Sequence, residues 1–249
     1  MDDDILVETE IAEPFSSSLV QYLQMFNRKE RYWLLKNALG ELHSDLPLSI
    51  SFRKRLSAVI KQNIPEDAWW AMDFHIDWLF GALVLDRMGS SDGEPLQNPQ
   101  SEGIESRGHR LIRGTQEDFD LIVAFDRTII LIEAKGVTNW GNEQLASKCR
   151  RLHEWDQLSE KIVSSPNEQM PFDIFLVLTS PKRSQHLKQL DWPNFVRLDG
   201  DIPFFLPLDL SAAPEFFYAP ERCDLERRPA ASGNHWRLNQ VPRPRLDES

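Results

Sequence analysis

Cysteine is nearly absent from this chain: Cys149 and Cys223 are the only two in 249 residues. They stand far apart, with no cysteine at the short spacing of a zinc site. A disulfide scaffold and a Cys-ligated zinc module are therefore excluded, and each residue is expected to be a buried or half-buried free thiol. Long apolar runs are missing as well, none approaching the roughly 20 residues that a membrane-spanning helix needs, so no membrane role is expected. The opening, MDDDILVETEIAE, is acidic and lacks the basic and apolar regions of a secretory leader, which makes the cytoplasm the expected location. Positive charge is also scarce: 28 Lys and Arg stand against 39 Asp and Glu, for a net charge of −11. A generally basic nucleic-acid binder is thereby excluded, and any contact with a polyanion must run through a local basic stripe. Internal repeats and low-complexity tracts are absent.

What is present is a hydrophobic fraction of 41%, enough for a sizeable core. The length suits one large domain or one domain with an appended helical part. Residues 1–63 read as an acidic arm and helical section, 64–240 as an α/β domain and 241–249 as a tail. The expected architecture is a mixed central sheet flanked by helices.

The most informative stretch is EDFDLIVAFDRTIILIEAKGVTNWGNEQLASKCRRLHEW, residues 117–155. Two apolar runs rich in β-branched residues, Leu121–Phe125 and Ile129–Ile132, are separated by Asp126-Arg127-Thr128. That pattern predicts an antiparallel hairpin. A symmetric turn about Asp126-Arg127 pairs residues whose numbers sum to 253, which sets Asp120 opposite Glu133. Directly opposed residues share a face, with Cβ atoms roughly 4.5–5.5 Å apart, and the strand period of two adds Lys135 to that face. Two carboxylates and an ammonium thus converge at one end of an apolar hairpin. Two hard oxygen ligands suit Mg²⁺, or Mn²⁺ in its place, with waters completing the shell. A lysine beside such an ion can neutralise charge developing on a phosphoryl oxygen. A salt-bridged structural hairpin is the alternative, but TIILI reads as a strand buried on both faces, and buried carboxylates need a compensating cation.

This arrangement resembles the core of the PD-(D/E)XK nuclease superfamily, with its restriction-endonuclease-like fold: an acid opening one strand, Glu-x-Lys closing the next, then a helix. No proline precedes Asp120; Phe119 stands there. The resemblance spans about residues 70–180 and implies metal ligands at Asp120 and Glu133 and a catalytic lysine at Lys135. Many members add an acid from the helix before the hairpin, and Asp77 is the candidate here, although a carboxylate capped by arginine or by a Trp N–H is equally open. Some branches carry Gln-x₃-Tyr on the following helix. Gln144 matches the first position and is a candidate catalytic residue, while Lys148 stands where the tyrosine would. Gln144, Lys148 and Arg151 fall on one stripe of that helix, open to two readings: a clamp for nucleic-acid phosphates or an exposed helix face.

Along the rest of the chain, helices are expected from Ser16-Ser17-Ser18 to about Gly40, from about Ser51 through SFRKRLSAVIKQN, and from Pro65 through AWWAMDFHIDWLFGALVLDRM, where Asp73 and Asp77 would sit one turn apart. Arg53, Lys54 and Arg55 read as a solvated helix face and His75 as a core histidine. Residues 89–108 form a long polar loop, and His109–Thr115 suggests a strand leading into the hairpin. Trp140 lies in a loop beyond Lys135. Pro171–Thr179 reads as a buried strand reached by a parallel crossover, Val196–Leu210 as a short strand, and His235–Leu238 as a late strand after a loop. The implied function is metal-dependent hydrolysis of phosphodiester bonds in DNA, with a protein partner supplying nucleic-acid contacts. The rival is a non-catalytic binding or assembly protein that keeps the nuclease fold.

Overall fold

The computed structural model describes residues 18–26, 46–88, 95–100, 110–114, 117–135, 142–158, 172–183, 190–210 and 214–242, with the side chains of Met25, Phe26, Asn142, Gln144 and Phe217 set aside. Within them the chain is a mixed α/β structure. A six-stranded sheet carries helices on both faces, and a two-stranded ribbon follows it.

Among the described residues the helices are α1 (Ser18–Phe26), α2 (Ile50–Ile60), α3 (Ile76–Met88) and α4 (Asn142–Leu158). Ser49 caps α2 by accepting a hydrogen bond from the Phe52 backbone N–H at 3.2 Å, which satisfies one of the donors a helix start leaves open. The same helix ends at Lys61, whose φ of 57° is left-handed. None of the described helices is long and apolar enough to cross a membrane.

The sheet is ordered β1-β2-β3-β4-β5, and β6 shares the outer edge of β4. Its strands are β1 (Trp69–His75), β2 (Asp118–Phe125), β3 (Thr128–Ala134), β4 (Asp173–Ser180), β5 (Val196–Arg197) and β6 (Phe204–Pro207). β1, β2 and β3 run antiparallel in turn, whereas β3 and β4 are parallel and joined through α4. That is the expected crossover.

Period two distributes the apolar residues of β2 and β3 between two cores. Ile122, Ala124, Ile129 and Leu131 pack with Leu19 and Leu23 of α1, Phe80 and Leu83 of α3, and Leu152 and Trp155 of α4. Val123, Phe125, Ile130 and Ile132 pack with Leu56 and Ile60 of α2 and with Phe204 and Leu206 of β6. Both faces are covered, which is why TIILI carries no polar alternation. The two helices described ahead of residue 64 are therefore layers of this same fold. An ionic clasp ties α1 in: Arg127 at the β2–β3 turn donates twice to Asp86 of α3, at 2.9 and 2.8 Å, and Ser18 of α1 donates to the same carboxylate at 2.8 Å.

Three expectations fail here. The helix read from Pro65 begins only at Ile76; Trp69–His75 is β1, so Asp73 and Asp77 lie in different elements. A run apolar on every side has no period to separate strand from helix, and pairing with β2 recruits the aromatic half. His109–Thr115 holds no strand among its described residues. Three of its backbone donors go to side chains instead, Ile112 N–H to Asn98 Oδ1 and Arg113 and Gly114 N–H to Asp77 Oδ2, while Leu111 N–H donates to Pro99 O at 3.0 Å. Gly114, at φ 72°, takes a left-handed turn that glycine makes without strain. The sheet position beside β2 is filled by β1. Lastly, the loop expected ahead of the late strand at His235–Leu238 starts only after Cys223: β7 (Phe216–Cys223) precedes it and pairs antiparallel with β8 (His235–Pro242), which contains that late strand.

Candidate functional site

The site grows from the β2–β3 hairpin. Phe125 pairs with Thr128 across Asp126-Arg127, and the pairing runs unbroken to Leu121 opposite Ile132, the register whose partners sum to 253. Asp126 makes the turn at φ 46°. Beyond Leu121 a side chain takes over from the ladder, as Asp120 Oδ2 accepts the Ala134 N–H at 2.6 Å. That bond holds the Asp120 carboxylate against the Glu133-Ala134-Lys135 segment. On the other side, the Lys135 N–H donates to Thr179 O of β4 at 2.9 Å, so both neighbouring strands anchor the backbone that carries the two charged side chains.

A cleft of about 500 Å³ opens here, lined by Glu117, Asp118, Asp120, Glu133, Lys135, Glu143, Ser147 and Lys148. The expected trio is brought together. Glu133 is 5% exposed, and burial pushes its carboxyl up to about 7, against the downward pull of Lys148, with Asp120 adding repulsion and Lys135 a further attraction. Desolvation thus outweighs its cationic neighbours. A buried carboxylate held in this state is poised for additional positive charge, and the donor set of two carboxylates is oxygen only, which suits Mg²⁺ or Mn²⁺. Among the described residues no group of three or more His, Cys, Asp or Glu side chains is disposed to hold a metal ion, so Asp120 and Glu133 would bind such an ion with water filling the remaining positions.

Asp77 is elsewhere. Its Oδ1 is ion-paired with Arg151, and its Oδ2 accepts from Arg113 N–H at 3.0 Å and Gly114 N–H at 2.7 Å. Of the two readings left open by the sequence, the arginine-capped carboxylate is the one found; Asp77 does not line the cleft. Arg151 is misplaced for the same reason. It is 2% exposed and spends its guanidinium on Asp77, on Leu111 O at 2.8 Å and on Glu154 at 2.9 Å. A side chain so enclosed is no surface clamp for phosphate. Lys148, one turn earlier, does reach the cleft, but its Nζ is bonded to Glu133 Oε1 and lies 4.9 Å from the centre of the Phe119 ring. Gln144 belongs to α4, and its side chain, like Trp140, lies outside the described residues.

His75 is a satisfied histidine: Nδ1 is 3.0 Å from Asp118 Oδ1, and the ring lies 4.2 Å from that of Trp78. Lys148 was singled out from the sequence, but its pairing with Glu133 was not. The spacing of Lys148 from Leu145 and Leu152 on the core-facing side of α4 was the available signal. Glu117 and Asp118 also border the cleft, and the acidic run EDFD announced them. Cys149, its thiol pushed up to about 11 by burial first and Asp191 second, is a packing residue. Comparison with known protein families, with curated proteins and with solved structures gives no match.

Proposed function

We propose that the chain is a divalent-metal-dependent nuclease with a restriction-endonuclease-like core, hydrolysing phosphodiester bonds in DNA in the cytoplasm. One observation carries the reading: the β2–β3 register delivers Asp120, Glu133 and Lys135 to a single cleft at the end of the sheet. Asp120 and Glu133 would hold the ion, which supplies Lewis acidity and eases deprotonation of water. The Lys135 ammonium, carried on backbone that is anchored to β4, neutralises charge that grows on a phosphoryl oxygen in the transition state. Placed on a strand end, these groups need little reorganisation during the reaction.

An acidic chain holds a polyanion weakly by itself, and most of the affinity for DNA is phosphate-driven and salt-sensitive. A protein partner that contributes basic surface completes the proposal. The Glu133–Lys148 pair favours a second reading, a non-catalytic assembly protein in which the two charges neutralise each other. The deciding experiment incubates the purified protein with plasmid, linear duplex and single strands in Mg²⁺, Mn²⁺ or EDTA. Metal-dependent cleavage that disappears in Lys135→Ala supports the nuclease. Intact substrates in every condition, with and without a basic partner, sink it.

A further inference from the structure

The same cleft contains a feature that the trio does not explain. Lys148 is 6% exposed, and lysine is seldom enclosed to this degree unless an opposite charge meets it. Its partner is Glu133, the carboxylate proposed above as a metal ligand. Removing either charge would leave the other desolvated and unpaired. Lys148 has, in addition, a second source of stabilisation independent of Glu133. The Phe119 ring sits 4.9 Å from Nζ, within the range where an aromatic face attracts a cation. The ammonium can therefore lose its carboxylate partner without becoming wholly unsupported.

The charge balance of the cleft sharpens the point. Five carboxylates face two ammoniums among its lining residues. An anionic phosphodiester entering such a space meets net repulsion, so positive charge has to arrive with it or before it.

From this we infer that Lys148 is a built-in stand-in for the divalent cation at Glu133, and that the cation displaces it and frees its ammonium for a substrate phosphate. The inference rests on the nuclease reading and adds to it a coupling: metal and phosphodiester each promote binding of the other. In the metal-free protein Lys148 neutralises Glu133. With a cation on Glu133 and Asp120, the Lys148 ammonium turns from carboxylate to phosphate while staying over Phe119. Coupling of this kind is reciprocal by thermodynamic necessity. Lys148 acts here as a positioning and gating residue, distinct from Lys135.

Calorimetric titration of Mn²⁺ in slightly alkaline buffer, where Glu133 is ionised, tests the stand-in directly. Lys148→Met removes the competing charge and should bind Mn²⁺ about tenfold tighter than the parent, a coupling of ordinary size. Lys148→Arg keeps the charge and should stay near the parent. Equal or weaker binding in Lys148→Met overturns the inference, because Lys148 would then merely orient Glu133. Failure of the parent to bind Mn²⁺ at all is a different result, and it removes the metal reading itself. Should Lys148→Met not fold, the parent protein still decides: the Lys148 ammonium signal in nitrogen-15 NMR should shift on saturation with Mg²⁺, and an unmoved signal rejects the displacement. The phosphate half is read from duplex anisotropy in Lys135→Ala. Mn²⁺ should raise affinity for a labelled duplex about tenfold there, and a second substitution, Lys148→Met, should abolish that gain. An undiminished gain overturns the coupling.

Discussion

Helix α4 carries two buried cation–carboxylate pairs one turn apart, Lys148 with Glu133 and Arg151 with Asp77, and they have opposite characters. Around Asp77 both carboxylate oxygens are met. Arg151 takes one oxygen, two backbone N–H groups take the other, and the guanidinium is shared with Leu111 O and Glu154. Around Glu133 the compensation is partial, for burial still holds its carboxyl at about 7 beside Lys148. A carboxylate with donors on both oxygens is a strut. A carboxylate that burial still penalises, at the wall of an open cleft, is a candidate site. Burial alone does not distinguish them, since all four side chains are enclosed; the number of donors on each oxygen does.

The comparison can be broken most forcefully through activity. Lys135→Ala should lower DNA cleavage by about 100-fold or more, the scale at which a preorganised charge acts on a transition state, with its melting temperature close to the parent. Asp77→Ala should do the reverse. It leaves the Arg151 guanidinium and two backbone donors without their acceptor, a loss of about 3–5 kcal/mol by analogy with broken buried pairs, read by urea unfolding, while Mn²⁺ affinity persists. If Asp77→Ala instead lost the metal, Asp77 would be a ligand and the division between strut and site would collapse.

Titration sharpens the same contrast. The Glu133 carboxyl is raised from 4.5 to about 7 on folding. A raised carboxyl favours the folded state in its protonated form, so this contribution is fully present below about pH 4.5 and is lost as pH climbs to about 7. At about 1.4 kcal/mol for each unit, the metal-free protein should lose up to about 3 kcal/mol across that window. Glu133→Gln should flatten the profile and weaken Mn²⁺ binding, as Asp120→Asn should weaken it. A metal-free stability curve identical in parent and Glu133→Gln would remove the burial argument.

The smallest effect concerns salt. Each phosphate contact contributes close to 0.9 to the log–log slope of duplex affinity against salt. In Mn²⁺-saturated Lys135→Ala, Lys148→Gln should flatten the slope by about one such contact, and Arg151, being sealed, should contribute none. Arg53, Lys54 and Arg55 on α2 serve as comparison: Arg53 lies 3.8 Å from Glu66, Arg55 donates to Pro207 O, and Lys54 is exposed. A slope altered only by changes in α2 would route the substrate over that helix.

Much of the hairpin was legible in the linear order of residues because its determinants are local. A two-residue turn with Asp126 at its start sets the register, and register with period two sets which side chains share a face. The trio of Asp120, Glu133 and Lys135 follows from those two facts alone, as does the need to cover both faces of TIILI. The α4 stripe was legible as a stripe for the same reason. What failed were inferences about partners far along the chain.

By itself, then, the sequence determined the antiparallel hairpin, the parallel crossover through α4 and the convergence of two carboxylates and a lysine. Only the tertiary structure decided that Trp69–His75 is a strand, since a run apolar all round takes its conformation from whatever pairs with it. It alone assigned Asp77 to Arg151 and Lys148 to Glu133, because Arg151 lies 74 residues from Asp77 in the chain and no local spacing specifies which charge closes on which. Desolvation made those choices: once the sheet and α4 packed, each buried charge had to meet the opposite charge within reach.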